Sequence, residues 1–172
     1  MYKQSIIRRI ALRIISWPKT QVHISLQQVN YSAILNKRRI VITGGSKGIG
    51  YAMAKKFISE GATVLITGRN EDDLILAKSA LGENAYYIVS DISKSESLDT
   101  FIEQCYTLLG EIDTLVLNAG VSLHEGSFIN VTQEGYDVQF NTNLKANFFI
   151  AQSFLKKKLE LKTGEPVRKV TD

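Results

Sequence analysis

The sequence predicts an α/β fold, a doubly wound parallel sheet covered by helices on both faces. Three observations predict it. From residue 38 onward, short β-branched or apolar runs alternate with segments of helical periodicity. Those runs are nearly continuous in apolar character, the pattern of strands buried on both faces. A glycine cluster, Thr43-Gly44-Gly45-Ser46-Lys47-Gly48-Ile49-Gly50, falls between the first strand and the first helix.

The elements follow in order. Ile40 to Thr43 reads as a buried strand. Ile49 to Glu60 has helical spacing, with Ile49, Ala52, Met53, Phe57 and Ile58 expected to face inward and Gly61 as its stop. "ATVLIT" is the second strand. Asn70 is expected to cap a helix running to Leu81, with Glu71, Asp72 and Asp73 in the first turn, where the helix dipole favours acids. "AYYIVS" is the third strand. Ser93 and Glu96 have the spacing of a capping box that opens a helix to Leu109. "DTLVLN" is the fourth strand. A loop runs to Val131, and Thr132 caps a long helical stretch to about Leu161. "PVRKV" is a candidate start of a fifth strand. Right-handed crossovers turn this order into a doubly wound (Rossmann) sheet.

Length and composition fit one domain. The chain has 172 residues, 44% of them hydrophobic and 22% charged, enough to build a core. The single cysteine, Cys105, excludes an internal disulfide framework and points to a reducing, cytoplasmic setting. It shares a helical face with Phe101, Leu108 and Leu109, so it reads as a packed core thiol rather than a nucleophile. His23 and His124 have no second ligand at metal spacing, and no metal site is expected.

The net charge of +4 conceals an asymmetry. Residues 1–39 carry Lys3, Arg8, Arg9, Arg13, Lys19, Lys37, Arg38 and Arg39 and no acid. The other 13 basic residues and all 17 acids leave the remainder at −4. The basicity belongs to the extension, so no nucleic-acid footprint is expected on the fold. We therefore divide the chain into an extension, 1–37, and a folded domain, 38–172. In "SIIRRIALRIISWP" the arginines fall within one helical arc and the isoleucines cover the opposite side, with Pro18 ending the run. Arginines interrupt it too often for a membrane span. Three readings stand: an arm packing on the domain or another subunit, a membrane-surface helix over residues 1–18, and a transit peptide if the source is eukaryotic.

The glycine loop carries the chemistry. A strand, a glycine-rich turn and a helix form a cradle for a dinucleotide. Gly44 allows the turn off the strand, Gly48 lets backbone approach a pyrophosphate, and Gly50 permits close packing. Cofactors lacking a 2′-phosphate are usually read by an acid near the end of the second strand. Thr67-Gly68-Arg69-Asn70 has none there. Arg69 suits a phosphate, and Lys47 adds a second cation, so NADP is expected rather than NAD.

These residues resemble the short-chain dehydrogenase/reductase family, classical type. Thr43, Gly44, Gly48 and Gly50 meet its TGxxxGxG pattern, with Ser46, Lys47 and Ile49 inside the same turn. "SDIS" at 90–93 is similar to the segment where the family's aspartate contacts adenine, which implicates Asp91 and its neighbour Ile92. "LNAG" matches NNAG except at its first residue and implicates Asn118, Ala119 and Gly120. "NTNLKANFF" resembles the long central helix and puts Asn143 at the position of the catalytic-tetrad asparagine. Together the motifs cover about 39 to 155. The resemblance implies hydride transfer between a nicotinamide and a small-molecule carbonyl or alcohol, and a homo-oligomer at full length. It also implies a catalytic serine and a Tyr-x-x-x-Lys pair beyond "KTGEPVRKVTD", so both are expected to be absent from these residues.

Tyr51-x-x-x-Lys55 is the one such pattern in the chain. It follows the glycine loop directly, on the helix that points at pyrophosphate and away from the nicotinamide, and we read it as a surface face with no catalytic part. Ser46, Ser122 and Ser127 have no base partner. The leading reading is the cofactor-binding part of an NADP-dependent oxidoreductase. The alternatives are a non-catalytic NADP-binding sensor or partner subunit, and a membrane-associated lipid ketone reductase touching the membrane peripherally.

Overall fold

A computed structural model describes residues 33–124 and 126–166. The amphipathic helix expected over 1–18, His23 and all of "PVRKV" beyond Pro166 lie outside them. Four parallel strands form one sheet: β1 (Arg39–Thr43), β2 (Thr63–Gly68), β3 (Ala85–Val89) and β4 (Thr114–Val116), in the order β3-β2-β1-β4. Helices α1 (Gly48–Ser59), α2 (Glu71–Leu81) and α3 (Leu98–Leu109) follow the first three strands. After β4 come α4 (Gln133–Phe140), a π-helical turn at Asn141–Ala146, and α5 (Asn147–Thr163).

The period of two along each strand explains the two cores. Val41 and Leu65 face one side and pack with Phe101, Cys105, Leu109 and Ile150. Ile40, Ile42, Val64 and Ile66 face the other and pack with Ala54, Leu74 and Leu81. Each fully buried side chain of this size contributes about 1.5–3 kcal/mol. Both faces being covered is why the strands lack polar alternation.

Local signals placed two helix starts correctly. Asn70 Oδ1 accepts the Asp73 N–H at 2.8 Å, and Thr132 Oγ1 accepts the Gly135 N–H at 3.0 Å. Gly61, at φ +90, follows α1 as expected. Three expectations need correction. Ile49 is 75% exposed and Ala52 is exposed, while Gly50 and Ala54 are the buried residues of α1. Leu108 is half exposed although Cys105, Phe101 and Leu109 are buried. Ser93 does not cap α3. Its hydroxyl donates to Asp91 Oδ1 at 2.8 Å, and a 3-10 turn at Ser95–Ser97 precedes the helix. The long helical stretch runs unbroken from Gln133 to Thr163, with the π-helical turn inside it.

Residues 33–37, placed with the extension by composition, are bonded to the body. The Leu35 N–H donates to Glu60 O at 3.0 Å and the Lys37 N–H to Gly61 O at 3.2 Å. Leu35 also packs against the second core. Burial pushes the Cys105 thiol up to about 12, in keeping with a packed core residue.

Candidate functional site

In this strand order the chain leaves β1 toward β2 on one side and arrives at β4 on the other. The carboxyl ends of β1 and β4 therefore splay apart, and ligands of such sheets bind in that crevice. Two turns meet there. One is the glycine turn after Thr43 and the other is Asn118–Val121 after β4.

Thr43 joins them. It is fully buried, and its Oγ1 accepts the N–H groups of Asn118 and Ala119, both at 3.0 Å. The Asn118 side-chain amide donates to Thr43 O at 3.1 Å and to Gly44 O at 3.0 Å. Buried backbone groups need such partners, because an unsatisfied one costs about 1–3 kcal/mol. The turns are also close-packed. Gly44 has φ +67, and a Cβ there would lie 2.9 Å from Ala119 Cα. A Cβ on Gly50 would lie 2.2 Å from Gly44 O and 2.6 Å from Asn118 Nδ2. Gly50 thus serves the contact between turn and turn, beyond the helix-on-sheet packing expected of it.

The crevice is a cleft of about 300 Å³. Of the residues singled out in the sequence, Gly44, Ser46, Arg69, Asp91, Ile92, Asn118, Ala119 and Gly120 line it. Thr43, Gly50 and Asn143 stand behind the lining. The Asn143 side chain grips Val121, accepting its N–H at 2.7 Å and donating to its carbonyl at 2.8 Å. Gly48 faces open space, with no atom within 4 Å of a Cβ placed there. Lys47 and Ile49 do not line the cleft. Lys47 is turned onto Asp73 instead, Nζ to Oδ2 2.7 Å. Tyr51 is half-buried against the second core, which corrects the surface reading, while Lys55 is exposed. Neither lines the cleft.

Thr67, Gly68, Asn70, Asp73, Ser90, Val121 and Thr142 line the cleft as well, and sequence reasoning did not single them out for it. Four of them shared a signal that was available: Thr67, Gly68, Asn70 and Ser90 lie at or just past the carboxyl end of a strand. Asp73 matters most, because the sequence showed no acid at the end of β2 and the structure brings one to the cleft from the first turn of α2.

The electrostatics are balanced rather than basic. Burial pushes the Asp91 carboxyl up, but the Ser93 hydroxyl and N–H, helped by Arg69 and Lys94, outweigh it and hold the group below its ordinary value. Asp91 is therefore an anion in the cleft that Arg69 also lines. The two helix N-termini near the cleft differ. That of α2 is capped by Asn70 and carries three acids in its first turn. That of α1 has no side-chain cap and no acid in its first turn. An anion is favoured at the second and not at the first. Among the described residues no group of three His, Cys, Asp or Glu side chains converges on a metal position, and no helix is long and apolar enough to cross a membrane.

Comparison with known proteins agrees with this geometry. A family profile described as short chain dehydrogenase matches residues 38–167. Oxidoreductase asL5 of Sarocladium schorii is 38% identical over 121 residues, 70% of this chain and 48% of that protein. The 3-oxoacyl-[acyl-carrier-protein] reductase FabG of Buchnera aphidicola is 28% identical over 130 residues, 76% of this chain and 53% of that one. The chain thus spans about half the length of the curated relatives it matches. A crystal structure of the 3-ketoacyl-(acyl-carrier-protein) reductase from Brucella melitensis complexed with NADH superposes with TM-score 0.69. It is 28% identical, over 77% of this chain and 55% of the other. A metagenomic short-chain oxidoreductase in complex with NADP gives TM-score 0.68 at 30% identity, over 74% and 59%. The profile match, the strand order and the paired turns at the switch point lead to one conclusion: this chain belongs to the short-chain dehydrogenase/reductase family.

Proposed function

We propose that residues 38–172 form the cofactor-binding part of an oxidoreductase that prefers NADP and interconverts a carbonyl and an alcohol on a small molecule. The observation that carries it is the uncapped, acid-free N-terminus of α1 behind a glycine turn locked to Asn118, beside a cleft that also holds Arg69. The residues fit a nicotinamide dinucleotide. The open space at Gly48 admits a pyrophosphate to backbone N–H groups. Asp91 and Ile92 serve the adenine end, and Arg69 a 2′-phosphate. Relatives named as ketoacyl reductases support a carbonyl substrate.

When bound, the cofactor supplies or accepts the hydride. The chain's own residues bind and orient it. Asn143 acts as a positioning residue, because both ends of its amide hold the Val121 main chain and so fix the wall of the cleft. Tyr51 and Lys55 do not line the cleft, so the reading gives that pair no acid–base part. It also includes self-association of the full-length protein. The exposed Phe128, Ile129, Leu144 and Phe148 support that part.

Fluorescence titration of the chain with NADPH and NADH tests the reading. NADPH should bind more tightly, and Arg69→Ala should erase the difference. Equal affinities in the wild type, or an unaffected variant, would overturn the NADP preference.

A further inference from the structure

One of the two cations that would receive an adenosine 2′-phosphate is already paired. Arg69 lines the cleft along with Asp91. Lys47 Nζ lies 2.7 Å from Asp73 Oδ2. The two acids are held differently. Asp91 Oδ1 accepts two hydrogen bonds from Ser93, which tie it to its own turn. The Asp73 carboxylate reaches across to the glycine loop and takes Lys47 as its ion partner, while its backbone N–H is fixed on Asn70. Asp73 lines the cleft beside Arg69 and Asn70, with its side chain 28% exposed.

We propose that Asp73 is a specificity-determining residue for the cofactor: it competes with the adenosine 2′-phosphate for Lys47 and so limits the preference for NADPH over NADH. This rests on the reading of the cleft as an NADP site. At neutral pH the 2′-phosphate is close to a dianion, with a second pKa of about 6. To engage Lys47 it must break or share the ion pair with Asp73, and the displaced carboxylate then stands near the phosphate as a like charge. NADH carries a neutral hydroxyl at that position. It leaves the pair closed and meets no repulsion. The acid therefore acts on one cofactor and not the other. The sequence hid it, because Asp73 sits in a helix first turn, where an acid already has a reason to be.

The test is direct binding, measured by fluorescence titration of NADPH and NADH on the 172-residue chain, its Asp73→Asn, Lys47→Met and doubly substituted forms, and Arg69→Ala. Asp73→Asn should tighten NADPH about threefold to tenfold, the scale of one partly exposed charge, and leave NADH within about twofold. The gain should be smaller in the Lys47→Met background, where only the like-charge repulsion is left to relieve, and should shrink at high salt. An unchanged or lowered NADPH-to-NADH ratio in Asp73→Asn would overturn the proposal, as would a gain undiminished in Lys47→Met. The underlying reading is judged separately, by the wild-type ratio and by Arg69→Ala. If the wild type favours NADH while Asp73→Asn still moves the ratio toward NADPH, the NADP preference falls and the role of Asp73 stands. Absence of binding to every form overturns both.

Discussion

Thr43 and Asn118 hold each other through two separate hydrogen bonds: the Asn118 N–H donates to Thr43 Oγ1 at 3.0 Å, and the Asn118 side-chain amide donates to Thr43 O at 3.1 Å. The same Oγ1 accepts the Ala119 N–H. One buried hydroxyl thus joins the last residue of β1 to the turn after β4, and the cleft is built on that junction.

Replacing Thr43 by valine keeps the shape and removes the acceptor. Two N–H groups in a partly buried turn then lack their partner, at a cost of about 1–3 kcal/mol. Thr43→Ser should recover most of it. Urea unfolding of the three proteins measures this, and a Thr43→Val loss under about 0.5 kcal/mol would show that water replaces the hydroxyl.

Gly50→Ala should be worse than Gly48→Ala for folding. A methyl at Gly50 meets Gly44 O and Asn118 Nδ2 well inside contact distance, and overpacking of this kind costs about 1–3 kcal/mol. A methyl at Gly48 meets nothing, so its cost is backbone strain at φ +56, about 1–2 kcal/mol, plus obstruction of the space for pyrophosphate. Thermal unfolding should rank Gly50→Ala lower, while both lose cofactor binding. Gly48→Ala that binds NADPH normally would contradict the role given to that open space.

Asn143→Ala removes both bonds to Val121. The expected result is faster hydrogen exchange at the Val121 amide, with the protection of β1 and β2 unchanged. Unaltered exchange at Val121 would mean that the turn holds itself, without the asparagine.

Asp113 ties β1 to the start of β4, accepting the Arg39 N–H at 2.9 Å and the Arg38 guanidinium at 2.8 Å. The Arg39 N–H first, and then Arg38, hold its carboxyl below the ordinary 3.8 of an aspartate. A carboxyl depressed in the folded state contributes stability that is present above that ordinary value and is lost as pH falls through the depressed one. Stability should therefore decline below about pH 4, and Asp113→Asn should flatten part of that decline. Urea midpoints measured from pH 6 down to 2.5 provide the check, and parallel curves for the two proteins would refute the assignment.

The sequence alone determined the sheet's strands, their parallel arrangement and the glycine turn, because periodicity and turn chemistry are local. It also determined the caps at Asn70 and Thr132, each of which acts within three residues. The tertiary structure alone decided which residues meet. The Thr43 hydroxyl could not be assigned to Asn118 from the sequence, since they are 75 residues apart and only the pairing of β1 with β4 brings them together. Ile49 was misplaced because helical periodicity gives a face its spacing and not its direction, and here the turn after β1 orients that residue away from the sheet. The Ser93–Glu96 spacing suggested a cap, but Asp91 competed for the serine and won. Asp73 reached the cleft for the same kind of reason: the crossover from β2 to α2 carries it beside the glycine loop, where Lys47 is its partner. Local patterns state what a segment prefers; register and crossover geometry decide which preferences are satisfied together.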